Sequence, residues 1–276
     1  MPPEGVAALG IDAAWTDHEP SGVALIQRDG ATWRCLRVAP SYEVFCSGAD
    51  WQAPVCGGPI DVGRLLATCS ELLRGKWPMA VGVDMPLATR PIVGRRTTDT
   101  VVSKQFGHRK CSVHSPNVIR PGLTGTRLQQ SFEAHNYVLA TSNRPSSPAL
   151  LEVYPHVALL GLTGRSERLP YKVSKRRTYW RGASHDVWKH NLVEEWAKIL
   201  GALQREIADV SILLPAHPEE LKFSELKRFE DAIDAVVCAW TAALFVDGSA
   251  TALGDESAAI WVPGISMPFA RGHDAA

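Results

Sequence analysis

The chain has 276 residues, 45% of them apolar, and its formal net charge is zero because 29 Lys and Arg residues balance 29 Asp and Glu residues. This length and composition are typical of one large α/β domain with insertions. No apolar stretch approaches the roughly 20 residues of a membrane span, so we expect no membrane association. The start of the chain does not resemble a signal peptide, and six cysteines without a Cys-x-x-Cys pair favour reduced thiols, so we expect a cytoplasmic protein.

The zero net charge hides a strong segregation of charge along the chain. Residues 90–127 hold eight Lys and Arg residues and one acid, and residues 164–182 hold seven and one. The rest of the chain is therefore acidic. This pattern suits a basic rim around an acidic centre, on which phosphates could dock. Two solvated basic loops without a ligand are the alternative.

The first forty residues predict three consecutive strands. Residues 5–12 are almost entirely apolar, as in a strand buried on both faces. Residues 21–27 and 31–38 flank Asp29-Gly30, and Asp-Gly between two strand-like runs is typical of a tight hairpin. The sequence therefore predicts an antiparallel pair after the first strand.

The middle of the chain alternates helical and strand-like patterns. Apolar residues at helical spacing predict a helix over 61–74, and residues 79–84 predict a second short buried strand. Between 90 and 148 the pattern fades, apart from a predicted helix near 127–141. Residues 149–153 predict a strand, which Tyr154-Pro155 closes because proline cannot continue a hydrogen-bonded ladder.

Two long helices and a short strand complete the chain. Apolar stripes predict helices over 184–203 and 224–246, and residues 259–262 predict a final strand. We therefore expect a single domain spanning residues 1–276, with basic insertions at about 90–148 and 160–183.

Four aspartates are the candidate catalytic residues. Asp12 and Asp84 each end an apolar strand, and in an open α/β sheet ligand sites form at the carboxyl ends of strands. Asp231 and Asp234 are three residues apart, so they share one helical face. Mg²⁺ or Mn²⁺ takes such hard oxygen ligands, and the four acids could hold one or two ions that activate water. The ordinary alternative is that Asp12 and Asp84 cap loops at strand ends and that Asp231 and Asp234 face solvent.

Four segments carry a resemblance to a known family. They are Gly10-Ile11-Asp12, Gly82-Val83-Asp84-Met85-Pro86, Glu152-Val153-Tyr154-Pro155, and the run from Glu230 to Ala242 that contains Asp-x-x-Asp-Ala. Together they resemble the DUF429 family, predicted nucleases of the ribonuclease H-like fold, over roughly residues 6–262. The resemblance implies a mixed sheet with its first three strands antiparallel. It also implies that the four aspartates bind the metal.

Glu152 is a fifth candidate for the catalytic set, because it lies in the predicted strand at 149–153. It could ligate a metal or orient a nucleophilic water. It could equally be a buried acid paired with an arginine, since structural ion pairs are common around buried acids.

The two basic insertions supply candidate nucleic-acid-binding residues. Basic side chains contact the phosphates of nucleic acids, and aromatic rings stack on unpaired nucleobases. Tyr171, Tyr179 and Trp180 are interleaved with the Lys and Arg residues of the second insertion. Solubilising surface loops are the alternative. Tyr171-Lys172 resembles a Tyr-Lys pair of the family, so Lys172 is the first choice for a phosphate contact. The other candidates are Arg95, Arg96, Arg109, Lys110, Lys175, Arg176 and Arg177.

We therefore expect a metal-dependent nuclease that hydrolyses phosphodiester bonds in DNA or RNA. A non-catalytic nucleic-acid-binding protein of the same fold is the second hypothesis. A phosphotransferase related to actin-like kinases ranks last, because such proteins need a duplicated core and this chain is short for two lobes.

Overall fold

The computed structural model describes residues 5–16, 18–51, 55, 57–145 and 148–264. Strands and helices are numbered here in chain order. The strands are β1 (Ala7–Asp12), β2 (Gly22–Asp29), β3 (Thr32–Ala39), β4 (Ala80–Val83), β5 (Val138–Leu139), β6 (Ala149–Val153), β7 (Ile207–Ala208), β8 (Ala250–Gly254) and β9 (Ala259–Pro263). The helices are α1 (Tyr42–Ser47), α2 (Val62–Leu72), α3 (Thr97–Phe106), α4 (Thr124–Glu133), α5 (Pro155–Thr163), α6 (Arg176–Tyr179), α7 (His185–Glu206) and α8 (Phe223–Val246).

The strands form one mixed sheet in the order β7-β3-β2-β1-β4-β6-β9-β8, with β5 also pairing with β6. Strands β1, β2 and β3 are antiparallel neighbours, which confirms the predicted hairpin and the antiparallel start of the sheet. Strands β4, β6 and β9 continue the sheet in parallel with β1, and β8 closes it antiparallel to β9. The protein is therefore a mixed α/β fold with helices on the sheet.

The register of the central strands brings three carboxyl ends to one edge, which we call the carboxyl edge. Ile11 of β1 pairs with Val83 of β4, and Val83 pairs with Glu152 of β6. The backbone N–H of Asp84 donates to the carbonyl of Ile11 at 2.9 Å. Asp12 and Asp84 therefore leave adjacent strands at neighbouring positions.

Side chains alternate between two buried layers, one on each face of the sheet. Leu9 and Ile11 point into the layer formed with α1, α2 and α4, whereas Ala8 points into the layer that contains α5, α7 and α8. By the same alternation Gly10 and Asp12 face α8. The four-residue strand β4 repeats the pattern, so Asp84 follows Gly82 on the α8 face.

Glycines let α8 approach the sheet closely. A Cβ added to Gly82 would lie 2.5 Å from the carbonyl oxygen of Cys238, and a Cβ on Gly10 would overlap the backbone of Ala235 and Ala239. A Cβ on Gly22 would overlap the carbonyl of Asp231. The helix backbone thus lies directly on the central strands, and this contact fixes the height of its acids above the carboxyl edge.

Three sequence predictions need correction. The predicted helix near 127–141 is wrong at both ends, since α4 runs from Thr124 to Glu133 and β5 follows it. Residues 97–106, expected to lack regular structure, form α3. Tyr154-Pro155 ends β6 as predicted but also begins α5, with the proline in the first turn, where its missing N–H costs nothing.

The helices found here include none with the combined length and apolar character that crossing a bilayer would demand, as far as the described residues extend.

Candidate functional site

Asp12 and Asp84 stand at the centre of the candidate site. Each is partly exposed, and no hydrogen bond or ion pair involves either carboxylate within the described residues. Burial raises the pKa of Asp84 well above its usual range, and the nearby charge of Asp12 raises it further. Two adjacent carboxylates without a side-chain partner favour the binding of a proton or a cation between them.

The acids of α8 complete the cluster from the helix that packs on this face of the sheet. Glu230, Asp231 and Asp234 are all at least 98% buried. Burial raises the pKa of Asp231 well above its ordinary value, and it raises the pKa of Asp234 to about 6. The charge of Asp12 contributes to both shifts, so the structure brings all four predicted aspartates into electrostatic contact.

Lys172 enters the cluster from the loop before α6. Its ammonium group forms an ion pair with Asp234 and lies 3.4 Å from Glu230. The hydroxyl of Tyr171 donates to the other oxygen of Asp234 at 2.8 Å. Although burial opposes its charge, these acids and Asp12 raise the pKa of Lys172 well above its usual range, so it is a cation inside an acidic site.

Lys227 neutralises Asp231 on the same helix, α8. It forms an ion pair with Asp231 four residues on and lies 3.1 Å from Glu230 three residues on. The neighbouring acids raise the pKa of Lys227 as well. The cluster therefore holds five carboxyl groups and two ammonium groups, so its acids outnumber its bases.

The donor set suits a hard divalent cation, but its arrangement is not that of a closed metal site. Carboxylate oxygens are the ligands that Mg²⁺ and Mn²⁺ prefer. Among the described residues, a group whose potential ligand atoms all lie within 4.8 Å of one another is found at His217, Glu219 and Glu220, and the four aspartates form no such group. Two of them already hold lysines, so Asp12 and Asp84 are the acids available to a cation.

The exposed group at His217 is a surface ion-pair cluster. His190 lies 3.3 Å from Glu219 and His217 lies 3.2 Å from it. Exposed acids of this kind are common without a metal. It lies outside the aspartate cluster.

Glu152 lies on the opposite face of the sheet from the aspartates. Leu150, two residues earlier, belongs to the layer of α1, α2 and α4, and strand alternation places Glu152 on that side. Its carboxylate accepts two bonds from Arg96, at 2.6 and 2.7 Å, and one from the N–H of Leu87 at 2.8 Å. Arg96 also binds Asp99 at 2.7 Å. Of the two roles considered for Glu152, the structure therefore shows the buried acid paired with an arginine.

The structure separates the predicted nucleic-acid-binding residues into those held in internal contacts and those left exposed. Arg96 and Lys172 are largely buried ion-pair partners and do not belong to an exposed basic surface. Arg109 binds the carbonyls of Arg165 and Ser166, and Lys110 pairs with Glu167.

The remaining four candidates differ in how far they are committed to internal contacts. Arg95 hydrogen-bonds Ser115 at 2.8 Å. The guanidinium of Arg176 lies 3.7 Å from the centre of the Phe223 ring. Lys175 and Arg177 are exposed, and within the described residues neither forms an ion pair with an acid.

Three members of the cluster were absent from the predicted site. Glu230 and Lys227 could have been found, because positions three and four residues apart on a helix share a face with Asp231. Tyr171 was noted as an aromatic residue, but its bond to Asp234 joins residues 63 positions apart. No local pattern carries such information.

The comparisons with known proteins bear on the family alone. The profile of the DUF429 family, described as proteins of unknown function, matches residues 10–259. Neither the curated proteins nor the solved structures contain a significant match to the chain. The matched region runs from Gly10 in β1 to Ala259, the first residue of β9, and it includes every acid of the cluster. This chain belongs to the DUF429 family of proteins of unknown function.

Proposed function

We propose that this chain is a metal-dependent nuclease of the ribonuclease H-like fold, with Asp12 and Asp84 as the primary metal ligands. One observation carries the proposal. Two carboxylates without a side-chain partner leave adjacent parallel strands at the carboxyl edge, inside a cluster whose acids outnumber its lysines. Ligands of α/β sheets bind at this kind of edge.

The charges around Asp12 support a cation at this position. Burial and mutual repulsion raise the pKa values of Asp84, Asp231 and Asp234 together, which means that the ionised cluster is electrostatically costly. A divalent ion held by Asp12 and Asp84 would offset that cost. Asp231 and Asp234 would add ligands if their lysines moved.

When bound, such an ion polarises a phosphodiester and lowers the pKa of a water molecule. The residues of the chain would contribute position and charge. Tyr171 and Lys172 hold Asp234 in place, and α8 packs its acids against the strands through Gly10 and Gly82. The exposed Lys175 and Arg177 would contact the phosphates that flank the cleaved bond.

The lysines favour one alternative. Lys172 and Lys227 already neutralise Asp234 and Asp231, which a metal-free, non-catalytic nucleic-acid-binding protein would need for stability. That protein would bind nucleic acid with a steep salt dependence and cleave nothing.

The deciding experiment measures cleavage and metal binding together. Wild type, Asp12→Asn, Asp84→Asn and the control Asp29→Asn are incubated with labelled single-stranded, duplex and branched DNA and RNA in Mg²⁺, Mn²⁺ or EDTA. Asp29 is exposed and lies at the opposite edge of the sheet. Mn²⁺ binding to the same proteins is followed by calorimetry.

We expect divalent-dependent cleavage that EDTA abolishes. Asp12→Asn and Asp84→Asn should each lower cleavage and Mn²⁺ affinity by about a hundredfold or more, because each removes a ligand. Asp29→Asn should match wild type in both. Full activity of Asp12→Asn would overturn the nuclease proposal, and salt-dependent binding without cleavage would establish the alternative.

A further inference from the structure

A cavity of about 550 Å³ opens at the carboxyl edge, on the face of the sheet opposite α8. Its walls come from the loop after β1, the start of α1, the loop at 58–60 and one side of α4. Ala13 and Met85 line it, and they directly follow Asp12 and Asp84. The cavity therefore begins one residue from both unpaired carboxylates.

The walls of the cavity combine apolar surface with hydroxyl groups. Leu128, Met85 and Ile60 supply the apolar part. Ser21, Tyr42, Thr124 and Ser131, which carry hydroxyl groups, also line it. Ser21 accepts a hydrogen bond from the N–H of Ala14 at 2.9 Å, which ties the β1 loop to β2 and holds this wall in place.

Of the described residues, Arg127 on α4 is the one that lines the cavity with a charged side chain. Arg127 is exposed, and within the described residues its guanidinium has neither an acidic partner nor a hydrogen bond. Among the described residues, no carboxylate lines this cavity. Its chemistry therefore fits a ligand with an apolar face, several hydrogen-bonding groups and one negative charge.

We propose that this cavity binds a single unpaired nucleotide, with the phosphate on Arg127 and the base and sugar against the apolar and hydroxyl-bearing walls. The inference rests on the proposed function, since it names the part of the substrate that lies beside the reacting phosphodiester. The volume lies within the roughly 300–1,000 Å³ of sites that enclose small molecules. It suits one nucleotide and is too small for stacked base pairs, so the substrate presents an unpaired residue at the carboxyl edge, where Ala13 and Met85 follow Asp12 and Asp84 in the chain.

The first test uses monomers. Each of the four deoxynucleoside monophosphates and the matching nucleosides are titrated against the full chain by calorimetry in EDTA. We expect at least one nucleotide to bind about tenfold or more tightly than its nucleoside, because a charge-assisted phosphate contact contributes that much. Equal affinity for nucleotide and nucleoside, or no binding of either, overturns the proposal.

Variants then locate the site. Arg127→Ala should weaken nucleotide binding about tenfold and leave nucleoside binding unchanged. Arg205→Ala removes the same charge from the end of α7, near the opposite edge of the sheet, and should have no effect. Ser131→Phe should abolish both interactions by filling the cavity. Nucleotide affinity that survives both Arg127→Ala and Ser131→Phe overturns the proposal.

Competition separates a free nucleotide from a nucleotide within a strand. A single-stranded oligonucleotide should displace the bound monomer, and a blunt duplex of the same sequence should not. Failure of the single strand to compete, or equal competition by the duplex, overturns the assignment to an unpaired residue of a strand.

The fate of the nuclease proposal is read separately. Asp12→Asn should abolish cleavage while it leaves Arg127-dependent nucleotide binding unchanged. Binding without cleavage by wild type would reject the nuclease and keep the nucleotide site. Cleavage without nucleotide binding would reject the site alone.

Discussion

Gly10 of β1 lies directly beneath Ala235 of α8, and a methyl group on that glycine would overlap the carbonyl of Ala235. This contact sets the distance between the helix that carries Asp231 and Asp234 and the strand that carries Asp12. Gly82 repeats it on β4 against Cys238. The acidic cluster therefore depends on backbone packing as much as on its own side chains.

Gly10→Ala should destabilise the fold by about 3 kcal/mol, because the helix must move away from the strand to make room. Gly201→Ala on α7 is the matched control, since nothing beyond its chain neighbours and its own helix backbone lies within 4 Å of the added methyl group. The control should gain up to about 1 kcal/mol from helix propensity. Denaturant unfolding measures both. Equal stability of Gly10→Ala and wild type would contradict the close contact.

Asp84→Asn should stabilise the metal-free protein at neutral pH. Burial and Asp12 raise the pKa of Asp84 in the folded state. Between the unfolded pKa of 3.8 and the raised folded pKa, the folded protein holds more protons than the unfolded chain, so the free energy of unfolding falls as pH rises through this window. The variant lacks this loss and should be more stable than wild type by about 1 kcal/mol at pH 7. The two should converge near pH 3.

Thermal unfolding in EDTA across pH 3–8 gives the measurement. Glu43→Gln supplies a control of opposite sign, because Arg64 lowers the pKa of that exposed acid. Glu43 contributes stability above its unfolded pKa and loses it in acid, so the variant should be slightly less stable at pH 7 and equal to wild type near pH 3. A neutral-pH loss of stability in Asp84→Asn would show that this carboxylate has a favourable partner.

Arg96→Ala should cost about 3–5 kcal/mol, because it leaves buried Glu152 and Asp99 without their partner. The neighbouring Arg95→Ala removes an exposed charge and should cost less than about 1 kcal/mol. Chemical denaturation separates the two. If Arg96→Ala kept its stability and lost only nucleic-acid affinity, the arginine would be a surface phosphate contact after all.

Much of the scaffold was readable from local patterns. The apolar runs gave β1 and most of β2, because strands buried on both faces have a distinctive composition, and the Asp29-Gly30 turn placed the partly exposed β3 after them. Helix α3 was missed because its buried face includes Thr98 and Asp99, which blur the apolar periodicity. Two-residue strands such as β5 and β7 leave no pattern at all.

The site also has a part that the sequence predicts and a part that it does not. The positions of Asp12 and Asp84 follow from where apolar strands end, and Asp231 with Asp234 follows from helical spacing. The side of the sheet that Glu152 occupies could not be predicted, because β6 is buried on both faces and its sequence shows no apolar alternation. The partner of Asp234 could not be predicted from the sequence either. Lys172 is 62 residues away, and only the folded chain brings it to that carboxylate.

Lys172→Met should tighten the binding of Mn²⁺ about tenfold. The ammonium group of Lys172 repels a second cation in the cluster and occupies an oxygen of Asp234. Its removal leaves Asp234 and Glu230 uncompensated, so the metal-free variant should unfold at a lower temperature than wild type. Mn²⁺ should restore more stability to the variant than to wild type, because the ion binds the folded state alone.

Lys175→Met removes an exposed charge three residues on and should change neither quantity. Calorimetry and thermal unfolding with and without Mn²⁺ decide the matter. Unchanged or weaker Mn²⁺ binding in Lys172→Met would mean that lysine and cation do not compete for the acids, and that Asp234 is a structural partner of Lys172.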